Sequence, residues 1–297
     1  MRTTSMVSLC AGSLVTAMAV AACGSSEEVT TASADSAKKA LASSSTNIGA
    51  SSARPAASGA LPPSATPSAS AAVKPSTKAS TAEKVGVFEL HPVHHGTIWF
   101  KVDGAKPLVV WVDPWSEANL DDGPKADVIL ITDIHPDHFD EKAIAKVKGD
   151  KTTIIAPTVV TEKLKDAKAL KNGAKIVEGP LTIEAVPMYN LKRGPEAGKL
   201  FHEKGRGNGY VLTASDTRVY ISGDTECTDE MKALKNIDLA FVSMNLPYTM
   251  PPSEAAECVK AFKPKVLVPY HYRDQNLADL DAPLKDSGVE IRKHDLY

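Results

Sequence analysis

Five apolar, mostly β-branched runs in this 297-residue chain break off at a residue that can bind a metal or orient a ligand. "LVVWVD" stops at Asp113, "VILITD" at Asp133, "VYISGD" at Asp224, "AFVSMN" at Asn245 and "VLVPYH" at His271. Short apolar runs closed by polar residues read as buried strands. Amphipathic stretches lie between them. Asp140 is placed to cap "EKAIAKVKG", Thr158 to cap "VVTEKLKDAKAL", and Ser253 to cap "EAAECVKAF", which Pro264 closes. Ahead of Asp113, residues 85–113 read as alternating strands joined by a turn at "DGAK". Such a chain is expected to be an α/β protein with helices packed outside its sheets and a site beyond the strand ends.

One of those ends is dense in chemistry. "ITDIHPDHFD", residues 131–140, brings Asp133, His135, Asp137 and His138 within six positions. A tight turn after a strand aims two imidazoles and a carboxylate at one point, and such nitrogen and oxygen ligands suit zinc and its neighbours. Asp224 and His271, from distant strand ends, would complete a cage. Two ions about 3.5–4 Å apart can share a hydroxide active near neutral pH, which attacks an ester, a lactone or a phosphodiester.

With "HHGTIWF", "VDPW", "AVPMYN", "KGRGNGYVL", "MNLPYTM" and "VLVPYHYR", this stretch resembles the metallo-β-lactamase superfamily, whose mark is His-x-His-x-Asp-His after a strand. The nearer likeness is to its metal-dependent hydrolases related to L-ascorbate-6-phosphate lactonase and N-acylphosphatidylethanolamine phospholipase D. The resemblance spans residues 84–297. It implies an αββα sandwich of two packed mixed sheets with helices outside, and a hydrolase using one or two divalent ions, zinc by family habit. By position it implies a metal site of Asp137, His138 and His271, with Asp224 bridging to a second site. That second site departs from the pattern: His135 keeps its place, but Asp133 and Asn190 stand where histidines are usual. An oxygen-rich second site would favour manganese or iron over zinc; loss of that ion is the competing expectation. The same fold hosts many reactions, so the substrate stays open.

Other residues are candidates of lower rank. Asp137 and His202 are expected to act in catalysis, His202 as a replacement ligand or proton donor. One of His94 and His95 is expected to line the cavity, and Asp113 to orient a ligand histidine. Tyr248 is expected in the pocket wall, and Arg206, Arg273 and Lys204 are placed to meet an anionic substrate. "GRGNG" lacks the spacing of a nucleotide loop and reads as a turn entering the strand "YVLTA". His91 and His294 carry no motif.

The first 83 residues have a different character. Met1–Cys23 reads as a secretory signal ending in a lipobox, "VAAC", with Cys23 as the lipidated residue (signal 1–22). Acyl chains would hold the protein at the cell envelope, with Gly24 favouring the outer membrane. Residues 23–83 are rich in Ser, Ala and Pro and read as a disordered tether, leaving 84–297 as the folded domain. The formal charge of −2 gives nucleic acid no electrostatic invitation, so the expected partners are a membrane and a small or lipid-like substrate. A lipoprotein that binds a metal or ligand without turnover is the alternative class. Cys227 and Cys258 are expected to be small buried residues, although an extracytoplasmic compartment permits their pairing. Deleting residues 24–83 should leave the melting temperature unchanged, and Cys23→Ser should move the protein from the membrane to the soluble fraction.

Overall fold

The computed structural model describes residues 83–297; the expectations for the signal, Cys23 and nearly all of the tether lie outside that range. The first sheet is built in sequence order from β1 (Glu83–Val85), β2 (Phe88–His94), β3 (Thr97–Val102), β4 (Leu108–Val112), β5 (Ala126–Leu130), β6 (Lys148–Ala156) and β7 (Lys168–Ala169). The second runs through β8 (Lys175–Glu178), β9 (Leu181–Met188), β10 (Gly207–Ala214), β11 (Thr217–Ile221), β12 (Leu239–Ser243), β13 (Val266–Tyr270) and β14 (Glu290–Ile291). Each sheet starts antiparallel and finishes parallel: β1–β4 and β8–β11 alternate in direction, while β4–β7 and β11–β14 run the same way. The expected layered α/β sandwich is the architecture found.

The sandwich closes because inward positions of both sheets are large and apolar. Phe100 and Phe241 meet edge to face at 5.6 Å between ring centroids, and Phe88, Ile98, Ile183, Leu212 and Val268 share that core. A separate apolar layer, including Trp111, Ile129, Ile144 and Ile154, joins the outer face of the first sheet to helix α1 (Glu141–Val147). Asp140 caps α1, its side chain accepting from the amides of Lys142 and Ala143. The short helices α2 (Thr158–Thr161) and α3 (Asp229–Lys232) follow. Helix α4 (Pro252–Phe262) covers the second sheet through Ala255, Val259 and Phe262, and the single turn α5 (Asp281–Leu284) ends the helical content.

Two helix expectations are corrected. The stretch after Thr158 leaves the helix at Thr161, and Lys168–Ala169 pair with β6 instead; a β-branched Thr-Val-Val-Thr start has weak helical propensity, and sheet pairing prevails. Helix α4 begins with Pro252 at its first position and has no side-chain cap, so Ser253 sits inside it. Lys263 ends α4 in the left-handed region, just ahead of Pro264. Glycine in "GRGNG" is needed within strand β10: a Cβ on Gly207 would lie 2.2 Å from Met188 Cε and 2.9 Å from the Thr132 carbonyl.

Cys227 and Cys258 are joined as a disulfide, with Cα atoms 5.5 Å apart, and are not the free buried thiols expected. The bond ties the segment after Asp224 to α4 across 31 residues of sequence. Closing a loop of that length limits the unfolded chain, so Cys227→Ala with Cys258→Ala should lower the unfolding free energy by about 3–4 kcal/mol. Urea titration of the oxidised chain and the double variant measures the difference.

Candidate metal centre

The parallel strands of both sheets end at one rim, and the polar residues that terminate them face each other there. Asp113 follows β4 directly; its amide donates to the Leu130 carbonyl (3.0 Å), which seats it beside the end of β5. Its carboxylate accepts from the Thr132 amide (2.8 Å), the Thr132 hydroxyl (2.5 Å) and His138 Nδ1 (2.8 Å). His138 Nδ1 therefore carries its hydrogen, and Nε2 is the nitrogen turned inward. The chain beyond β5 is tied to the other sheet: Tyr210 donates to the Ile131 carbonyl (2.7 Å) and the Asn208 amide to that of Thr132 (2.8 Å). Those bonds fix the start of the turn that carries Asp133, His135, Asp137 and His138.

The second sheet supplies Asp224 beyond β11 and His271 beyond β13. A loop between β9 and β10 supplies His202. Asn190 binds His202 twice through Oδ1, accepting from its amide (2.8 Å) and from Nδ1 (2.7 Å). The Asn190 amino group donates to Glu226 Oε1 (3.1 Å) and the Tyr248 carbonyl (2.8 Å), which settles which end of the carboxamide is oxygen. Asn190 thus stands behind His202 and presents His202 Nε2 to the centre. Asp224 Oδ2 lies 3.4 Å from both His138 Nε2 and His202 Nε2, and Asp224 Oδ1 lies 3.5 Å from His271 Nδ1. His138 Nε2, His202 Nε2 and Asp224 Oδ1 are buried and make no hydrogen bond. Three buried polar atoms without partners, one on Asp224 and two on histidines beside it, are costly unless an ion is bound there, so these residues fit a divalent ion.

Asp137 and His95 form the neighbouring layer. Asp137 Oδ2 lies 3.1 Å from His95 Nε2 and 3.3 Å from His271 Nε2. His95 Nδ1 meets the Tyr297 hydroxyl at 2.6 Å. His94 stacks on Trp115, ring centroids 5.7 Å apart. On the other flank, Asp133 is fully buried and held by two bonds from Arg206: Nε to Oδ1 (3.1 Å) and Nη2 to Oδ2 (2.7 Å). His135 Nδ1 lies 2.9 Å from Asp133 Oδ2, and its Nε2 lies 3.4 Å from Arg206 Nη2.

Electrostatics follow from this packing. Burial pushes the Asp113 carboxyl up, against the pull of His138 and Thr132. Burial also opposes charge on His138, but Asp224, Asp137 and Asp113 outweigh it and raise its pKa well above the usual value. Burial brings His95 and His202 down to about 4, so both are neutral at pH 7. Against burial, His135, His138, His202 and Arg206 hold Asp133 at about 2. Against partial burial, Asp137 is kept well below the usual carboxylate range by His138 and its hydrogen bonds to His271 and His95; against full burial, Asp224 is kept below it by His271 and His138.

Backbone conformation is unusual at the same place. His95, Asp113, His271 and Arg273 all have positive φ, between 41° and 53°. A cavity of about 370 Å³ opens over the centre, walled by Trp115, Phe201, Tyr248 and Arg273, with His135, Asp137, His202, Asp224, Asn245 and His271 on its floor. The sequence marks Asn245 only as a strand end, and it does not mark Trp115, Phe201 or Tyr297 as site residues. Trp115 lies within the quoted "VDPW", whereas nothing local marks Phe201 or Tyr297.

Residues 89–271 match the family described as "Beta-lactamase superfamily domain". A UPF0173 metal-dependent hydrolase of Thermococcus onnurineus is 30% identical over 183 residues, covering 58% of this chain and 80% of that protein. The crystal structure of a Parabacteroides distasonis protein assigned as a metal-dependent hydrolase is 44% identical with a TM-score of 0.66, covering 71% of this chain and 94% of that one. Igni18, a metallo hydrolase of Ignicoccus hospitalis, shares the fold at 19% identity and a TM-score of 0.58, over 70% of this chain and 95% of its own. With the family domain matched from β2 to His271, the chain belongs to the beta-lactamase superfamily.

Proposed function

We propose that the domain is a metal-dependent hydrolase that cleaves an ester, lactone or phosphodiester bond of a small, anionic substrate, and that it works outside the cytoplasm on a lipid anchor. The observation that carries the hydrolase reading is the trio His138, Asp224 and His271, whose ligand atoms lie within 4.8 Å of one another, with His138 Nε2 and Asp224 Oδ1 buried and without protein partners and His202 Nε2 3.4 Å from Asp224 Oδ2. The metal-dependent hydrolases among the relatives support it.

His138, His202, Asp224 and His271 are the residues that would hold the ion. A bound divalent ion polarises the scissile group and lowers the pKa of water towards neutrality. The chain's own part is positional. Asp113 and Asn190 hold Nδ1 of His138 and His202 from behind, so each turns Nε2 to the centre without rotating its ring. Asp137, held between His95 and His271, has a carboxylate placed to accept a hydrogen bond from the attacking water and align it. Trp115, Phe201 and Tyr248 exclude bulk water from one side of the cavity. Arg273 on the same wall offers a cation to a phosphate or carboxylate oxygen. The cavity volume suits a small molecule or the head of a lipid. The lipobox ending at Cys23 supports the anchor, and the Cys227–Cys258 bond supports an oxidising compartment.

Screening the metal-reconstituted chain against phosphodiesters, lactones and phosphate esters tests the reading; silence across the panel in a protein that retains its ion would leave a binding function in its place. Asp224→Asn should abolish both tight metal binding and turnover. Asp113→Asn should spare the fold and weaken metal affinity about 10–100-fold. Proton linkage gives an independent check. His138 has a raised pKa, so near pH 7 the metal-free protein holds a proton there that the ion must displace. Metal binding should release protons and strengthen as pH rises towards that pKa, read from the buffer dependence of the binding enthalpy. An enthalpy independent of buffer would argue against His138 as a ligand.

A further inference from the structure

A second ion has ligands to choose from on the far side of the cleft only if Asp133, His135 and Asn190 are free to give them. They are not. The Asp133 carboxylate is fully buried and occupied at both oxygens by the Arg206 guanidinium, through Nε at 3.1 Å and Nη2 at 2.7 Å. Both ring nitrogens of His135 face that pair: Nδ1 towards Asp133 Oδ2 at 2.9 Å and Nε2 towards Arg206 Nη2 at 3.4 Å. The Asn190 oxygen is taken by the amide and Nδ1 of His202. Of the groups on this flank, His202 Nε2 alone is an orphaned buried atom, and it lies closer to Asp224 (3.4 Å) than to Asp133 (3.9 Å). Asp133, His135 and His202 are close enough together to suggest a metal trio, but its Asp133 and His135 atoms are already engaged; a further trio of His95, Asp137 and His271 shares His271 with the first ion's ligands, and its Asp137 Oδ2 is taken up by the two histidines. A second ion would have to expel a forked guanidinium from a carboxylate shielded from water, which is among the most favourable ion-pair geometries available to a protein.

We infer that the cleft takes one divalent ion, on the His138–Asp224–His271 side with His202, and that the Arg206 guanidinium permanently fills the position of a second cation. This rests on the metal-binding reading above and specifies it. A guanidinium has no coordination position to offer and does not give up its proton. It supplies fixed positive charge to the flank formed by Asp133 and His135 and leaves all Lewis-acid chemistry to the single ion. The substitution of Asp for the superfamily's usual first histidine then makes sense as one half of a pair: the carboxylate holds the arginine, and the arginine neutralises the carboxylate.

The test is metal stoichiometry and a spectrum on the purified full chain, with activity as no part of the readout. Equilibrium dialysis against Mn²⁺ followed by elemental analysis should give one ion per chain, with an electron paramagnetic resonance spectrum of an isolated Mn²⁺ centre. Two ions per chain with an exchange-coupled spectrum would overturn the inference while leaving the metal-dependent reading intact. A wild-type chain that binds no ion would defeat both. Asp133→His combined with Arg206→Met removes the pair and restores a ligand, and should raise the ratio from one to two. A ratio that stays at one in that folded variant would show that Arg206 excludes nothing. Should the variant fail to fold by circular dichroism, the wild-type ratio and spectrum decide the question alone. Arg206→Lys keeps a charge but loses the fork, and should admit a second ion only weakly.

Discussion

Four aspartates, Asp113, Asp133, Asp137 and Asp224, lie within one small volume, and three of them are at most 3% exposed. Breaking a buried charged pair typically costs about 3–5 kcal/mol, so the molecule must compensate each of these carboxylates separately. Asp113 is met by a hydroxyl, an amide and an imidazole. Asp133 is met by a guanidinium and a second imidazole. Asp137 faces His95 and His271. Asp224 lies among three imidazoles, and one of its oxygens is left without a hydrogen bond. The last is the exception on which function depends, because a buried carboxylate oxygen without a hydrogen-bond partner is the one left to attract a cation from outside.

The fold exists to make that crowding tolerable. Parallel strands bring their carboxyl ends to one edge of each sheet, and packing the sheets face to face brings the two edges together. Short loops then need backbone conformations that ordinary residues avoid, and the positive φ values of His95, Asp113, His271 and Arg273 are the result. Three of them are held by bonds elsewhere: Thr97 donates to the Asp113 carbonyl at 2.7 Å, and the His271 amide donates to the His95 carbonyl at 3.0 Å. Gly96 contributes by absence, since a Cβ there would lie 3.2 Å from the His271 ring.

Much of this was legible in the residues themselves. Strand ends carry their polar residue next to an apolar run, so Asp113, Asp133, Asp224 and His271 could be recognised one at a time. The roles assigned by position proved harder to read. Asn190 looks like a weak ligand in sequence, yet its oxygen is directed at His202, twelve residues on, by contacts from Glu226 and Tyr248. Arg206 reads as a substrate contact, yet it is 73 residues from the Asp133 it binds. Long-range hydrogen bonds of this kind leave no period or spacing in a chain. The helix after Thr158 was misread for a related reason: the apolar spacing suits a helix, and only the pairing of Lys168 and Ala169 with β6 shows that the chain has turned back to the sheet. Cys227 and Cys258 carried no local signal for their bond, which depends on how α4 lies over the second sheet.

The margins of the two sheets differ in character from their centres. The outermost strands are β1, β7, β8 and β14, of two to four residues each, and the first three carry Lys84, Lys168 and Lys175. Short, charged borders offer a passing chain few unpaired amides and a desolvation cost for approaching them. Sheets of seven strands with long, bare borders would invite growth by strand addition, as in fibrils. Here the backbone's capacity to recruit neighbours is spent within the sandwich, and molecules of this kind can be held close together without templating one another.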